Sequence, residues 1–279
     1  MEWVLGTAQL SGLYGVTRTK PIFAPDKLLL SAWEMGFSAL DTARSYAGVE
    51  EIIGMSAWPG RIHSKLSAEA DIEESLAQSL KALGRDELDV VYFHEPSVVE
   101  NLPEDITKTK DRLIPTKAKQ LGVSIYTPAQ FLQSAKIPAV DVIQVPLNIL
   151  DRRLSDDVLE KTSADKFIYA RSVFLQGVLL STPNELPKFL SGFAESLQAV
   201  RRLSDDLGLS IIELCVGWIA SRPGLKGVVV GVESVEQLQD IARALKRGPL
   251  DPNVIRRIKQ IRPPHEDLLD PRKWEISHV

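Results

Sequence analysis

A chain of 279 residues can bury a sizeable core, and with 44% hydrophobic, 25% charged and 6% aromatic residues it has the composition of an ordinary soluble globular protein, not of a disordered one. Thirty-three Lys and Arg against 37 Asp and Glu leave a net charge of −4 with no long run of either sign, so nucleic acid is a poor candidate partner. The only cysteine, Cys215, excludes an intrachain disulfide framework and a cysteine-based zinc site, and no apolar stretch is long enough to span a bilayer. The N-terminus, Met1 to Gly6, lacks the basic and apolar regions of a secretory signal, so a cytoplasmic protein is expected.

Short β-rich runs alternate with longer segments of helical periodicity, which is the pattern of a βα array around a parallel sheet. Strands are predicted at Trp3 to Gly6, Ser38 to Asp41, Arg61 to Lys65, Leu88 to His94, Gly122 to Ser124, Val140 to Val145, Phe167 to Ser172 and Gly227 to Val230. Most are near-continuous apolar runs, as strands covered on both faces should be. Helices fall between them. Asp26 to Met35 carries an apolar stripe of Leu28, Leu29, Ala32 and Trp33 and stops at Gly36, and Asp71 to Leu83 repeats the arrangement before Gly84. Two helices follow the seventh strand, Pro187 to Leu207 and Ser210 to Ser221, the second with Ser210 and Glu213 spaced for a capping box.

Eight strands with at least as many helices have the size and rhythm of a (β/α)8 TIM barrel, an α/β fold, here with an extra helix after strand seven. No linker suggests a second domain, so residues 1–279 are read as a single domain. Pro252 to Gln260 is one more helix, followed by a Pro-rich polar extension whose path is not readable.

Such a barrel builds its site at the C-terminal ends of its strands. Asp41, Lys65 and His94 end strands two, three and four, and Tyr46 lies five residues beyond Asp41. The chemistry these residues suit is proton transfer to a carbonyl oxygen. A tyrosine beside an ammonium has its phenolate favoured, which lowers its pKa toward working pH and makes Tyr46 the candidate acid. Asp41 would hold and charge-balance Lys65, and His94 would orient the carbonyl and stabilise the developing oxyanion.

The segments Leu40-Asp41-Thr42-Ala43-Arg44-Ser45-Tyr46, His63-Ser64-Lys65-Leu66 and Tyr92-Phe93-His94-Glu95-Pro96 resemble the aldo-keto reductase superfamily, whose Asp, Tyr, Lys, His tetrad they supply in order. Similarity continues through Leu5-Gly6-Thr7-Ala8, Gly122-Val123-Ser124, Ile143-Gln144-Val145, Gln176-Gly177 and Gly231 to Leu238, and so spans nearly the whole chain. The resemblance implies a nicotinamide cofactor across the barrel mouth, NADP in most members with NAD as the alternative, and a small aldehyde, ketone or alcohol as partner. It also implies that Ser124 and Gln144 hold the carboxamide and that Gly6 and Thr7 make first-strand contacts. Gly231, Ser234 and Gln237 would meet the cofactor phosphates at the helix after strand eight.

Three departures from the family pattern bear on these assignments. The position after Ser124 is Ile125 where members commonly carry Asn. The position aligned with the nicotinamide-stacking aromatic is Arg171, which alone or with Arg44 would read an anionic group on substrate or cofactor. Glu233 stands where basic residues for a 2'-phosphate are usual. Tyr14 is a further candidate for the substrate pocket, and the loops at Ser11 to Pro21 and Glu95 to Asp111 and the tail after Gln260 are candidates to shape it.

Each residue has a plainer reading when taken alone. Asp41 can be a turn residue, Lys65 a solvated lysine, Tyr46 a packing side chain and His94 a satisfied histidine. Ser124 and Gln144 can satisfy backbone groups, and Ser234 can be only a helix cap. Two other functions remain open: an aldolase-type barrel with Lys65 as a Schiff-base lysine, and a non-catalytic nicotinamide-binding sensor or regulatory protein. The remaining histidines, His63, His265 and His278, show no ligand spacing, and no metal is expected.

Overall fold

Strands that are apolar on both faces need cover on both, and this chain meets that need by closing its sheet on itself and wrapping it with helices. The computed structural model describes residues 1–12, 24–67, 71–101, 103–114 and 116–274. Eight parallel strands, β1 (Glu2–Gly6), β2 (Ala39–Asp41), β3 (Arg61–Leu66), β4 (Leu88–Phe93), β5 (Ala118–Ser124), β6 (Val142–Pro146), β7 (Phe167–Arg171) and β8 (Leu225–Gly231), pair in sequence order, and β8 closes onto β1. The architecture is the expected (β/α)8 barrel.

The helices are α1 (Pro25–Met35), α2 (Val49–Met55), α3 (Ile72–Leu83), α4 (Ser97–Asn101), α5 (Pro103–Leu113), α6 (Pro128–Lys136), α7 (Asp156–Thr162), α8 (Ala194–Leu207), α9 (Ile211–Ala220), α10 (Val235–Arg247) and α11 (Pro252–Gln260). Their starts follow local chemistry. Asp71 caps α3 by accepting from the N–H groups of Glu73 and Glu74, and Ser210 and Glu213 cap α9 reciprocally. The expected helix from Pro187 divides into a 3-10 segment, Lys188–Phe193, and α8. Gly192 lies in that segment, where an added Cβ would come within 2.7 Å of Leu268, so the tail packs closely over the division.

Two apolar cores result. The larger lies between strands and helices, and a small one fills the barrel with Val4, Ala39, Val90, Tyr92, Val142, Tyr169 and Val229. Gly122 makes room inside, since a Cβ there would stand 2.5 Å from the Tyr92 ring. Because side chains alternate along a strand, the residue two positions after an inward one also faces the axis, one layer nearer the rim. Ala39 is thus followed by Asp41, His63 by Lys65, Tyr92 by His94, Val142 by Gln144 and Tyr169 by Arg171. That step of two carries each strand from packing to polar side chains at the same end of the barrel.

The C-terminal segment has a definite path. Arg152 donates to the carbonyls of Ile258 and, at 2.6 Å, Ile261, while Ser196 donates to the Arg262 carbonyl at 2.8 Å. Beyond these ties Leu269 and Trp274 are buried, and the Trp274 ring meets Phe193 edge-on at 6.3 Å. The tail therefore lies across the barrel mouth's flank and returns Arg272 to the rim.

Candidate active site

The rim residues converge on one cavity. Asp41, Tyr46, Lys65 and His94 line it together with Gly6, Thr7, Ser124, Gln144, Arg171, Gly231 and Gln237. The Asp41 carboxylate accepts from Lys65 Nζ on Oδ1 and from Gln144 Nε2 at 2.6 Å on Oδ2. Lys65 Nζ also donates to the Thr42 carbonyl at 3.1 Å. Burial lowers the pKa of Lys65, and the charge and hydrogen bond of Asp41 oppose that. A buried lysine needs such a partner.

The Tyr46 ring lies 5.8 Å from Lys65 Nζ, measured to the centroid, and 6.3 Å from the His94 ring. Burial raises the phenol above its ordinary value, Asp41 raises it further, and Arg171 opposes them. The sequence reading expected the ammonium to lower it. Lys65 is instead hydrogen-bonded to Asp41, whose own charge acts in the opposite sense on the phenol, and desolvation dominates. Tyr46 accordingly keeps its proton well above neutral pH.

Burial, and then the Lys65 charge, push His94 down to about 4, so its ring is neutral near neutral pH. Its Nδ1 stands 3.4 Å from Ser45 Oγ. When the serine donates to Nδ1, the ring proton sits on Nε2, and His94 can donate to an oxygen near Tyr46.

Several expected cofactor contacts take a more particular form. The Thr7 hydroxyl donates to the Asp41 carbonyl at 3.0 Å, so Thr7 braces the end of β2, which carries Asp41. Ser234 lies outside the cavity wall and caps α10, accepting from the Gln237 N–H at 3.1 Å. The Gln237 side chain accepts from the Glu233 N–H at 2.7 Å. Gly231 makes space for the Gln9 amide, 2.1 Å from where a Cβ would stand. Ile125 points away from the axis into the larger core, one position out of phase with Ser124.

A nicotinamide carboxamide needs a donor and an acceptor in the wall. Ser124 supplies a hydroxyl, and Gln144 Oε1 is buried without a hydrogen-bond partner among the described residues, so the donor set fits. Among the described residues no cluster of three or more His, Cys, Asp and Glu side chains could hold a metal ion.

Arg44 faces a neighbouring depression beyond Lys65 and His94, where it pairs with Glu50 at 3.2 Å and Glu51 at 3.4 Å. Tyr14 and residues 13–21 of its loop lie outside the described residues. The cavity also takes in Gln9, Tyr126, Gln176 and Arg272, which the sequence reading did not assign. Tyr126 had a signal, being one step of two beyond Ser124. Arg272 had only its place in the tail.

The aldo/keto reductase family model matches residues 2–263. The chain belongs to this family. The aldo-keto reductase YhdN of Bacillus subtilis is 25% identical over 280 residues, covering 85% of this chain and 83% of its own. The L-glyceraldehyde 3-phosphate reductase of Escherichia coli is 26% identical over 221 residues, covering 69% of this chain and 63% of its own. The holo form of an aldo-keto reductase from Bacillus halodurans superposes with a TM-score of 0.77 at 19% identity, covering 94% and 92% of the two chains, and shows the shared fold. As an aldo/keto reductase, the chain is an NAD(P)H-dependent oxidoreductase of carbonyl compounds. Among the described residues, no helix is long and apolar enough to cross a membrane.

Proposed function

We propose that this aldo/keto reductase interconverts an aldehyde or ketone with its alcohol, with Tyr46 as the group that gives or takes the proton. The observation that carries the reading is the convergence of Asp41, Tyr46, Lys65 and His94 on one cavity. A nicotinamide held in this cavity would supply or accept the hydride. The chain's own residues do the rest. Tyr46 stays protonated because it is buried, and so is poised as a neutral donor to the carbonyl oxygen. Neutral His94 orients that oxygen from a second direction and stabilises negative charge as it develops.

Lys65 balances the phenolate left after proton transfer, and Asp41, held in turn by Gln144, keeps the ammonium in place. An ammonium bound to both Asp41 and the Thr42 carbonyl is a poor Schiff-base nucleophile, which speaks against the aldolase reading. Gly6, Ser124, Gln144, Gly231 and Gln237 would hold the cofactor, with Thr7 bracing Asp41.

NADPH is the family's usual hydride donor. On the β8 side of the wall, however, the charged side chain among the described residues is Glu233, whose carboxyl pKa is raised by burial. Its charge would repel a 2'-phosphate, and this observation favours NAD as a second reading.

A panel of short aldehydes and ketones, assayed with NADPH and NADH against the wild type and Tyr46→Phe, tests the proposal. Turnover is expected in the wild type. The variant should lose about 10²–10⁴-fold in kcat, the usual contribution of a general acid, with cofactor Kd changed by less than about threefold. Full activity in Tyr46→Phe would remove the proposed proton donor.

A further inference from the structure

Two arginines meet on one tyrosine in the wall of the active site. Tyr126 follows the end of β5, and its ring centroid lies 4.3 Å from the guanidinium carbon of Arg171 and 3.7 Å from that of Arg272. All three side chains line the cavity that holds Tyr46. The arginines come from separate elements, one from the end of β7 and the other from the C-terminal tail.

Their charges are unequally compensated. Arg272 chelates Asp270, with Nε at 2.9 Å and an NH2 nitrogen at 2.6 Å, and feels the charge of Glu100. Among the described residues, Arg171 donates only to neutral oxygens, the Ser172 hydroxyl and the Ile125 carbonyl, each at 3.0 Å. Its Nε is buried and has no partner among the described residues. Leaving a guanidinium part-buried without a carboxylate is costly, unless an anion arrives to complete it. The Arg171 charge is felt at Tyr46, Lys65 and His94, so such an anion would sit close to the reacting carbonyl.

We propose that Arg171 and Arg272, held against the Tyr126 ring, bind the carboxylate or phosphate of the substrate, and that the substrate is a short carbonyl compound carrying such a group. Planar guanidinium forks suit both anions. The inference rests on the reductase reading above and adds the substrate class to it. The cofactor's own phosphates are the other source of an anion in the cavity. Geometry favours the substrate: Arg171 reaches from β7 across β6 to residues 125 and 126 at the end of β5. That direction leads away from β8 and α10, where the cofactor phosphates are assigned.

The test pairs succinic semialdehyde with butanal, and glycolaldehyde phosphate with glycolaldehyde, in the wild type, Arg171→Gln, Arg272→Gln, Tyr126→Leu and Tyr126→Phe. The wild type should prefer the anionic member of each pair in kcat/KM. Either arginine variant should lower that anionic-to-neutral ratio about tenfold to a hundredfold, the factor that a hydrogen bond to a charged group is worth. Tyr126→Leu, which removes the platform without changing charge, should lower it as well, and Tyr126→Phe should restore it. Arg243→Gln, on the exposed face of α10, serves as a charge control and should leave the ratio alone.

Calorimetric titration with succinate and with inorganic phosphate gives a readout that does not need turnover. Both should bind the wild type and bind Arg171→Gln at least about tenfold more weakly. Equal use of charged and neutral carbonyls by the wild type would overturn the proposal while leaving the reductase reading intact. Weakened binding of NADH and NADPH in Arg171→Gln, with an unchanged substrate ratio, would also overturn it by giving the anion to the cofactor. Succinate binding that depends on Arg171, without turnover of any carbonyl, would keep the anion site and remove the reductase reading.

Discussion

His63 sits one layer below Lys65 on β3, wholly buried between the rings of Tyr169 at 5.3 Å and Tyr92 at 6.2 Å, and its Nδ1 has no partner among the described residues. Burial holds it neutral, with a pKa pushed down from 6.5 to about 4. A histidine that is harder to protonate folded than unfolded gives stability that is fully present above 6.5. That stability is lost as pH falls toward 4, because the unfolded chain binds the proton first. The loss between pH 7 and pH 5 from this side chain should be about 2 kcal/mol. Urea unfolding of the wild type and His63→Gln at the two pH values measures it: the variant should lose correspondingly less on acidification, and equal losses would contradict the assignment. The same residue marks a limit of sequence reading. Asp41, Lys65 and His94 were legible because polar residues ending apolar runs stand out. His63 lies inside such a run, and only the alternation of the closed barrel shows that it faces the axis.

Among the elements, β5 joins packing to chemistry most directly. Gly122 pairs across to Val142 and Tyr92, and a side chain at this position would meet the Tyr92 ring at 2.5 Å and the Val142 carbonyl at 3.0 Å. Tyr92 is buried inside the barrel with its ring 6.0 Å from Lys65 Nζ, so it has little space in which to move. Gly122→Ala should therefore cost about 1–3 kcal/mol by overpacking, read from chemical denaturation, and should lower kcat by displacing the floor under Lys65. A stable, fully active variant would show that the barrel interior has slack. Elements with local signals were read well, the capping box of α9 and the Asp71 to Gly84 limits of α3 among them. The first half of β5 was not, since Lys119 and Gln120 interrupt its apolar run. Lys119 is accommodated on the outside by Glu87 at 3.2 Å and Asp89 at 2.9 Å. The turn after β7 was hidden as well. Ser172, Leu175 and Gln176 all adopt positive φ there, a conformation that sequence assigns first to glycine, and one held here by the surrounding fold.

At the scale of the whole molecule, the tail connects stability to the active site. Leu269 and Trp274 are buried, and the segment between them carries Pro271 and Arg272 into the cavity wall. Truncation after His265 removes two large apolar side chains from the core, worth about 1.5–3 kcal/mol each, and takes away one of the two arginines. A lower melting temperature is expected, together with the same fall in anionic-to-neutral ratio as in Arg272→Gln. An unchanged ratio in a folded truncated protein would separate the tail from specificity. The sequence marks the tail after Gln260 as a candidate to shape the pocket but not its path, because the tail is fixed by distant contacts from Arg152 and Ser196 to backbone carbonyls of residues 258, 261 and 262.

The arrangement also bears on how such a protein changes over time. Proton transfer is set by strand ends that the barrel's closure holds in place, whereas one of the two anion-reading side chains rides on the final stretch of chain. Exchange of that stretch can alter which molecules are accepted without disturbing the strands that act on them, so selectivity can evolve as a detachable module while the reaction is inherited unchanged.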